Sequence, residues 1–161
     1  MRLRTLTNKF NVALLFLSTL VASCGRDVIY TDSSEMDNNV WNLSNMVVFE
    51  YENADTEQKT DVDFLIRTTP NYPYRNIYLF VSSFSPEGKS ITDTLEYILA
   101  DEKGNWYGKG TGNIRSLALP FRQNVFFSEK GTYTFRVSHG MRDVDLKGVA
   151  DISFRVSKSD Y

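Results

Sequence analysis

The sequence predicts an all-β fold: a single domain built as an antiparallel β-sandwich, jelly-roll or immunoglobulin-like, over residues 40–161. Three observations carry this. Short segments with an apolar residue at every second position recur through that stretch, the period of a half-buried strand. Turn residues separate them, and no amphipathic helical window of useful length intervenes. The chain also holds 9 Tyr, 11 Phe and 2 Trp, bulky residues that suit a pleated, half-buried surface.

Taken in order, Val40-Trp41-Asn42 opens the ordered part, with Trp41 a lid over one edge of the core. Val47, Phe49 and Tyr51 then alternate with Val48, Glu50 and Glu52. After a charged turn at 53–60, Val62, Phe64 and Ile66 alternate with Asp63, Leu65 and Arg67. Asp61 and Asp63 fall on one side of this strand and read as a solvated face. Ile77 to Val81 is apolar throughout, the pattern of a central strand covered on both sides. Ser85-Pro86-Glu87-Gly88-Lys89 is a strong turn. Thr94 to Ala100 is open to helix or strand, with Thr94, Tyr97 and Ile98 favouring strand.

Gly108, Gly110 and Gly112 follow Trp106 and Tyr107 at a spacing that suits a bulge or a close backbone approach. Leu117, Leu119 and Phe121 alternate around Pro120, which places them on an edge strand because proline cannot donate to a ladder. Two clean alternations close the domain: Tyr133, Phe135 and Val137, then Ile152, Phe154 and Val156.

The N-terminus has a different character. Arg2, Arg4 and Lys9 precede an apolar run from Val12 to Ala22. That run is too short to span a bilayer, which takes about 20 apolar residues, but it fits the core of a secretory signal peptide. It ends in Leu20-Val21-Ala22-Ser23-Cys24, a lipobox around the only cysteine. Residues 1–23 are therefore expected to be removed, and Cys24 to carry a diacylglyceryl group and an N-acyl chain. More than one chain is needed because a single acyl chain anchors only marginally. No other cofactor is expected. Residues 24–39, polar and acidic from Thr31 onward, read as a flexible tether of about fifteen residues, reaching ~20 Å on average. Gly25 follows the cysteine where an inner-membrane retention signal would place Asp, and no acidic cluster follows it. This favours the outer membrane, with the domain facing the periplasm.

Charge limits the partners. The chain has 18 basic and 20 acidic side chains; without residues 1–23 it keeps 15 and 20, a net −5. That balance argues against nucleic acid and against electrostatic membrane binding, so the lipid must anchor. With Cys24 acylated no thiol remains for a disulfide, and the fold must rest on its core.

Catalytic signatures are weak. His139, the sole histidine, reads as a surface or hydrogen-bonded loop residue. Gly104 to Gly110 misses a phosphate loop in spacing and lacks Ser or Thr after the lysine. Asp143-Val144-Asp145 starts like a calcium loop, but Lys147 occupies a ligand position. No enzymatic role is expected.

Tyr72-Pro73-Tyr74-Arg75-Asn76-Ile77-Tyr78-Leu79-Phe80, Asp93-Thr94-Leu95-Glu96, Leu99-Ala100-Asp101 and Gly104-x-Trp106-x-Gly108-x-Gly110 together resemble the gliding motility lipoprotein GldH family of Bacteroidota. Gly131-x-Tyr133-x-Phe135, Gly140-Met141-Arg142 and Leu146-Lys147-Gly148 fit the same pattern. The resemblance runs from the lipobox to Val156. It implies a lipid-anchored envelope protein, tied to surface gliding and to type IX secretion, whose partners are the membrane and other envelope proteins. It carries over no catalytic residue and only Cys24 as a functional position. Tyr72, Tyr74, Trp106 and Tyr107 are candidate partner-binding aromatics; burial in the core is the competing reading. A carbohydrate- or ligand-binding surface lipoprotein is the alternative function, and a flat exposed aromatic row would mark it.

Overall fold

The computed structural model describes residues 27–159. The leader and Cys24 lie outside the described residues. Eleven strands are present among those described: β1 (Val28–Glu35), β2 (Val40–Asn42), β3 (Val47–Asn53), β4 (Thr60–Thr68), β5 (Asn76–Phe84), β6 (Ser90–Ile98), β7 (Lys109–Thr111), β8 (Ile114–Val125), β9 (Gly131–His139), β10 (Asp145–Lys147) and β11 (Val149–Lys158). They form a five-stranded sheet in the order β1-β11-β4-β8-β7 and a four-stranded sheet in the order β3-β9-β5-β6. The short β2 and β10 pair separately. Every pairing is antiparallel.

The two large sheets face each other across an aromatic core. Phe49 on β3 stacks on Phe154 of β11 at 5.6 Å, and Phe135 on β9 lies 4.5 Å from the same ring. Phe64 on β4 and Phe121 on β8 extend the cluster at 5.4 Å. Phe64 and Phe154 are wholly buried, and each such ring removes 150–250 Å² from water. The alternations read from the sequence put these residues inward, because successive side chains on a strand point to opposite faces. The fold class expected from pattern is the one observed.

Four local expectations need correction. Residues 28–39 are not a tether. Val28–Glu35 pairs with β11 along its length, Asp37–Asn39 forms a 3₁₀ turn, and Met36 is buried in the core. The polar composition misled because β1 is an edge strand whose side chains mostly face water; only Tyr30 and Met36 reach the core. Ile77 to Val81 is central but covered on one face only, with Tyr78 and Phe80 at 37% and 43% exposure.

Asp61 and Asp63 are buried rather than solvated. Asp61 Oδ1 accepts from the Asn124 amide at 2.8 Å. Asp63 takes Arg155 Nη2 at 2.8 Å and Gln123 Nε2 at 3.1 Å, and these long neighbours cover it. His139 is also fully buried, against Trp41 at 5.5 Å between ring centroids. Trp41 itself is wholly enclosed, its Nε1 donating to Asn45 O at 2.9 Å.

Other readings stand. Residues 90–98 are strand. Pro120 lies on the part of β8 beyond the three residues paired with β7, where the lost donor costs nothing. A Cβ at Gly108 would sit 2.5 Å from Ser116 O, so the glycine does permit close approach of two strands.

Candidate interaction surface

The sandwich has two ends. β1 starts, β4 starts and β11 finishes at one of them, with the turns 85–89 and 126–130. The other end holds Tyr72, Tyr74, Trp106 and the β2–β10 pair. There Tyr72 contacts Tyr74 at 6.1 Å and Trp106 at 5.9 Å, both edge-on. Tyr72 is buried and donates its hydroxyl to Asn76 O at 2.8 Å. Burial pushes its phenol well above the ordinary tyrosine value. Tyr74 and Trp106 are half-buried, and Tyr74 Oη donates to Asp143 Oδ2 at 2.8 Å. That hydrogen bond raises the Tyr74 phenol as well. Tyr107 points away, 61% exposed. Three of the four aromatics thus form one wedge closing the core, and the fourth stands apart from it.

A larger apolar surface lies on the outer face of the four-stranded sheet. Along β5, Tyr78, Phe80, Ser82 and Phe84 face outward because Ile77, Leu79 and Val81 take the core. On the same face Ile98 of β6 lies opposite Asn76, and Val48 of β3 lies beyond Arg136 of β9, at 48% and 45% exposure. Phe84 is roofed by the Arg136 guanidinium, 4.8 Å from its ring. At the upper end, Tyr74, Asn76, Tyr78, Gly140, Met141 and Arg142 line a hollow of about 310 Å³. Gly140 packs closely on its rim: a Cβ there would lie 3.0 Å from the Phe80 ring and 3.1 Å from Tyr78 Cβ. The Gly140 amide donates to Tyr78 O at 2.7 Å, tying the loop to the strand.

Sequence reasoning missed Tyr78, Phe80 and Phe84, although the signal was present. In an antiparallel sandwich each strand has one outer face, so an uninterrupted apolar run places apolar groups in water. Among the described residues no three His, Cys, Asp or Glu side chains converge as metal ligands. A second hollow of about 260 Å³ enters between the sheets beside Phe121, Phe127, Tyr133 and Phe135. The Asp93–Arg122 ion pair, 2.6 Å, and the bond from Tyr97 Oη to Pro120 O, 2.8 Å, join β6 to β8 along that side.

Comparison with known proteins gives the lineage. Residues 28–156 match the family model of the GldH lipoprotein. A gliding motility lipoprotein GldH homolog of Christiangramia forsetii is 34% identical over 153 residues, covering 91% of this chain and 93% of that one. The gliding motility lipoprotein GldH of Flavobacterium johnsoniae is 28% identical, covering 91% and 95%. Among solved structures, a family GH115 4-O-methyl-α-glucuronidase matches 84% of this chain and 18% of its own, at 14% identity and a TM-score of 0.37. An exo-β-1,3-galactanase of Phanerochaete chrysosporium reaches 0.33. Scores this low bear on neither fold nor function. The family match spans nearly all of the described strands and both relatives align almost end to end, so the chain belongs to the GldH lipoprotein family.

Proposed function

We propose that this protein is a non-enzymatic, docking component of the gliding motility and type IX secretion apparatus. In this reading the chain is fastened through acylated Cys24 to the outer membrane, faces the periplasm, and binds another envelope protein. The lineage supports a gliding-motility lipoprotein. The observation that supports docking is the apolar outer face of β5. Tyr78 and Phe80 stand exposed on this face between the polar neighbours Glu96, Thr94 and Ser138, and Ile98 and the more distant Val48 add apolar surface to it. Aromatic anchors beside an arginine are the composition of an interface centre.

The test is a photo-crosslinking residue placed at Phe80 in intact cells, with Val144, more accessible at 61% exposure against 43%, as control. A discrete envelope-protein adduct at 80 and none at 144 is expected. No adduct at 80 above the control would end the docking reading.

The alternative, a carbohydrate-binding face, draws on the same exposed rings. They are one tyrosine and two phenylalanines, while Trp41 is enclosed and Trp106 half-buried. Retention on a glycan array that is abolished by Tyr78→Ala would favour this alternative over protein docking.

A further inference from the structure

We infer that the end of the sandwich at which β1 begins rests directly on the lipid headgroups, with Phe126 seated at the membrane interface. The inference depends on Cys24 being the acylated residue, as proposed above. It follows from how close to Cys24 the chain is already held in the fold. Asp27 is already part of the fold: its carbonyl accepts from the Lys158 amide at 2.8 Å and its carboxylate from Lys158 Nζ at 3.2 Å. Only Gly25 and Arg26 stand between it and Cys24. Three Cα steps span at most ~11 Å. A tether of fifteen residues would have let the domain tumble freely; a link this short holds one end of it at the headgroups.

The same end is marked out across the sheet. Asp27, Lys158, Thr60 and Val125 lie at one level on four neighbouring strands. Phe126 is the next residue beyond that level, 52% exposed, with Lys59 Nζ 5.9 Å from its ring centroid. Val28 and Ile29, at 52% and 41%, add apolar surface where β1 starts. A phenylalanine can bury its ring at the headgroup boundary while the lysine beside it keeps its ammonium in water.

Charge at this end is balanced rather than basic. Lys59, Lys89, Lys130 and Lys158 face Asp27, Asp55, Glu57, Glu87 and Glu129. Lys89 is engaged with Glu87 and Glu129, and Lys158 with Asp27. Four lysines against five acids leave a net −1, so the seat is near neutral and not basic. It needs the covalent anchor to form, and it requires neither anionic lipid nor low salt. One consequence is orientation: the Tyr72–Trp106 wedge and the hollow beside Met141 point away from the bilayer.

Acylation of Cys24 leaves no native thiol, so a single introduced cysteine carries a unique label. The full chain is expressed with its own leader, labelled with an environment-sensitive fluorophore at Phe126→Cys, Val28→Cys, Tyr107→Cys or Val144→Cys, and reconstituted into phosphatidylcholine vesicles. Flotation and mass spectrometry report acylation independently of the labels. Headgroup-depth spin-labelled lipid should quench most of the emission from positions 126 and 28 and leave 107 and 144 unchanged, at low and at high salt alike. Protein that floats but shows equal quenching at both ends, or none at 126, overturns the seating while sparing the anchor. Protein that neither floats nor carries acyl chains overturns the anchor and the seating with it. Quenching at 126 that appears only with anionic lipid overturns the neutral seat.

Discussion

Met36 separates a folded β1 from a tether. It follows that strand, is buried to 5% exposure, and is fixed on both sides of its peptide. Its amide donates to Ala150 O at 2.8 Å and its carbonyl accepts from Asn39 N at 3.0 Å. Met36→Ala removes three heavy atoms from the core. At about 0.8 kcal/mol for each buried methylene-sized group, transfer alone is worth ~2.4 kcal/mol. An incompletely relaxed cavity adds up to ~1 kcal/mol more. The expected loss is therefore ~2–4 kcal/mol out of a total stability of about three times that for a domain this size. Urea unfolding of the unacylated Cys24→Ser form reads it, followed by the emission of Trp41, which is wholly buried and becomes exposed on unfolding. With a urea slope near ~2 kcal/mol per molar, the midpoint should fall by ~1–2 M. Val28→Ala, at a site 52% exposed, should stay within about 0.5 kcal/mol of the parent. Equal, near-zero effects at both positions would refute the reasoning and restore residues 24–39 as a tether.

Two further outcomes are expected. Gly148 has φ +83°, and a Cβ there would overlap the Tyr72 backbone nitrogen and lie 2.5 Å from Tyr72 Cα. Gly148→Ala should therefore cost more than ~3 kcal/mol. Gly88→Ala, at φ +84° with open space around it, should cost only ~1 kcal/mol of backbone strain, and thermal melts of both isolate the clash. Burial holds the His139 imidazolium below its ordinary value of 6.5, against smaller opposing effects of the Trp41 backbone and Asp143. A depressed folded value means stability that is full above pH ~6.5 and is lost as pH falls through the folded value. His139→Leu should flatten that acid-side loss in urea melts between roughly pH 7.5 and 5; parallel profiles for parent and variant would show that His139 does not carry it.

The strands were legible wherever one face is apolar and the other polar, as at Val47–Tyr51, Tyr133–Val137 and Ile152–Val156, since alternation reports burial directly. It failed in two opposite ways. In β1 only Tyr30 packs against the core, and Met36 follows the strand, so the segment carries too little apolar signal to stand out from a linker. In β5 the outer face is apolar too, so alternation disappears and the strand looks doubly covered. Asp63 and His139 were misplaced for a related reason. Pattern cannot tell a polar residue in water from one enclosed by Arg155 and Gln123, or by Trp41, because the covering side chains come from strands distant in sequence. The aromatic wedge was legible by residue type, but which ring escaped it, Tyr107, depended on the Ala100–Trp106 bridge and on Trp106 taking the place against Tyr72.

The two misreadings bear on one another. Had residues 24–39 been a tether, the exposed rings on β5 would sample every orientation, and lipid would compete for them with any partner. On the anchoring proposed above, with Asp27 held in the fold, the outer sheet face would run away from the anchor, and the hollow lined by Tyr74, Tyr78 and Met141 would lie at its far end. An apolar patch held off the bilayer gains nothing from lipid. The stability lost by leaving Tyr78 and Phe80 in water is recovered only if something else covers them. Gly140 bears on the rigidity of this patch, because a Cβ there would lie 3.0 Å from the Phe80 ring and 3.1 Å from Tyr78 Cβ, so only glycine lets the loop pack this closely on both residues.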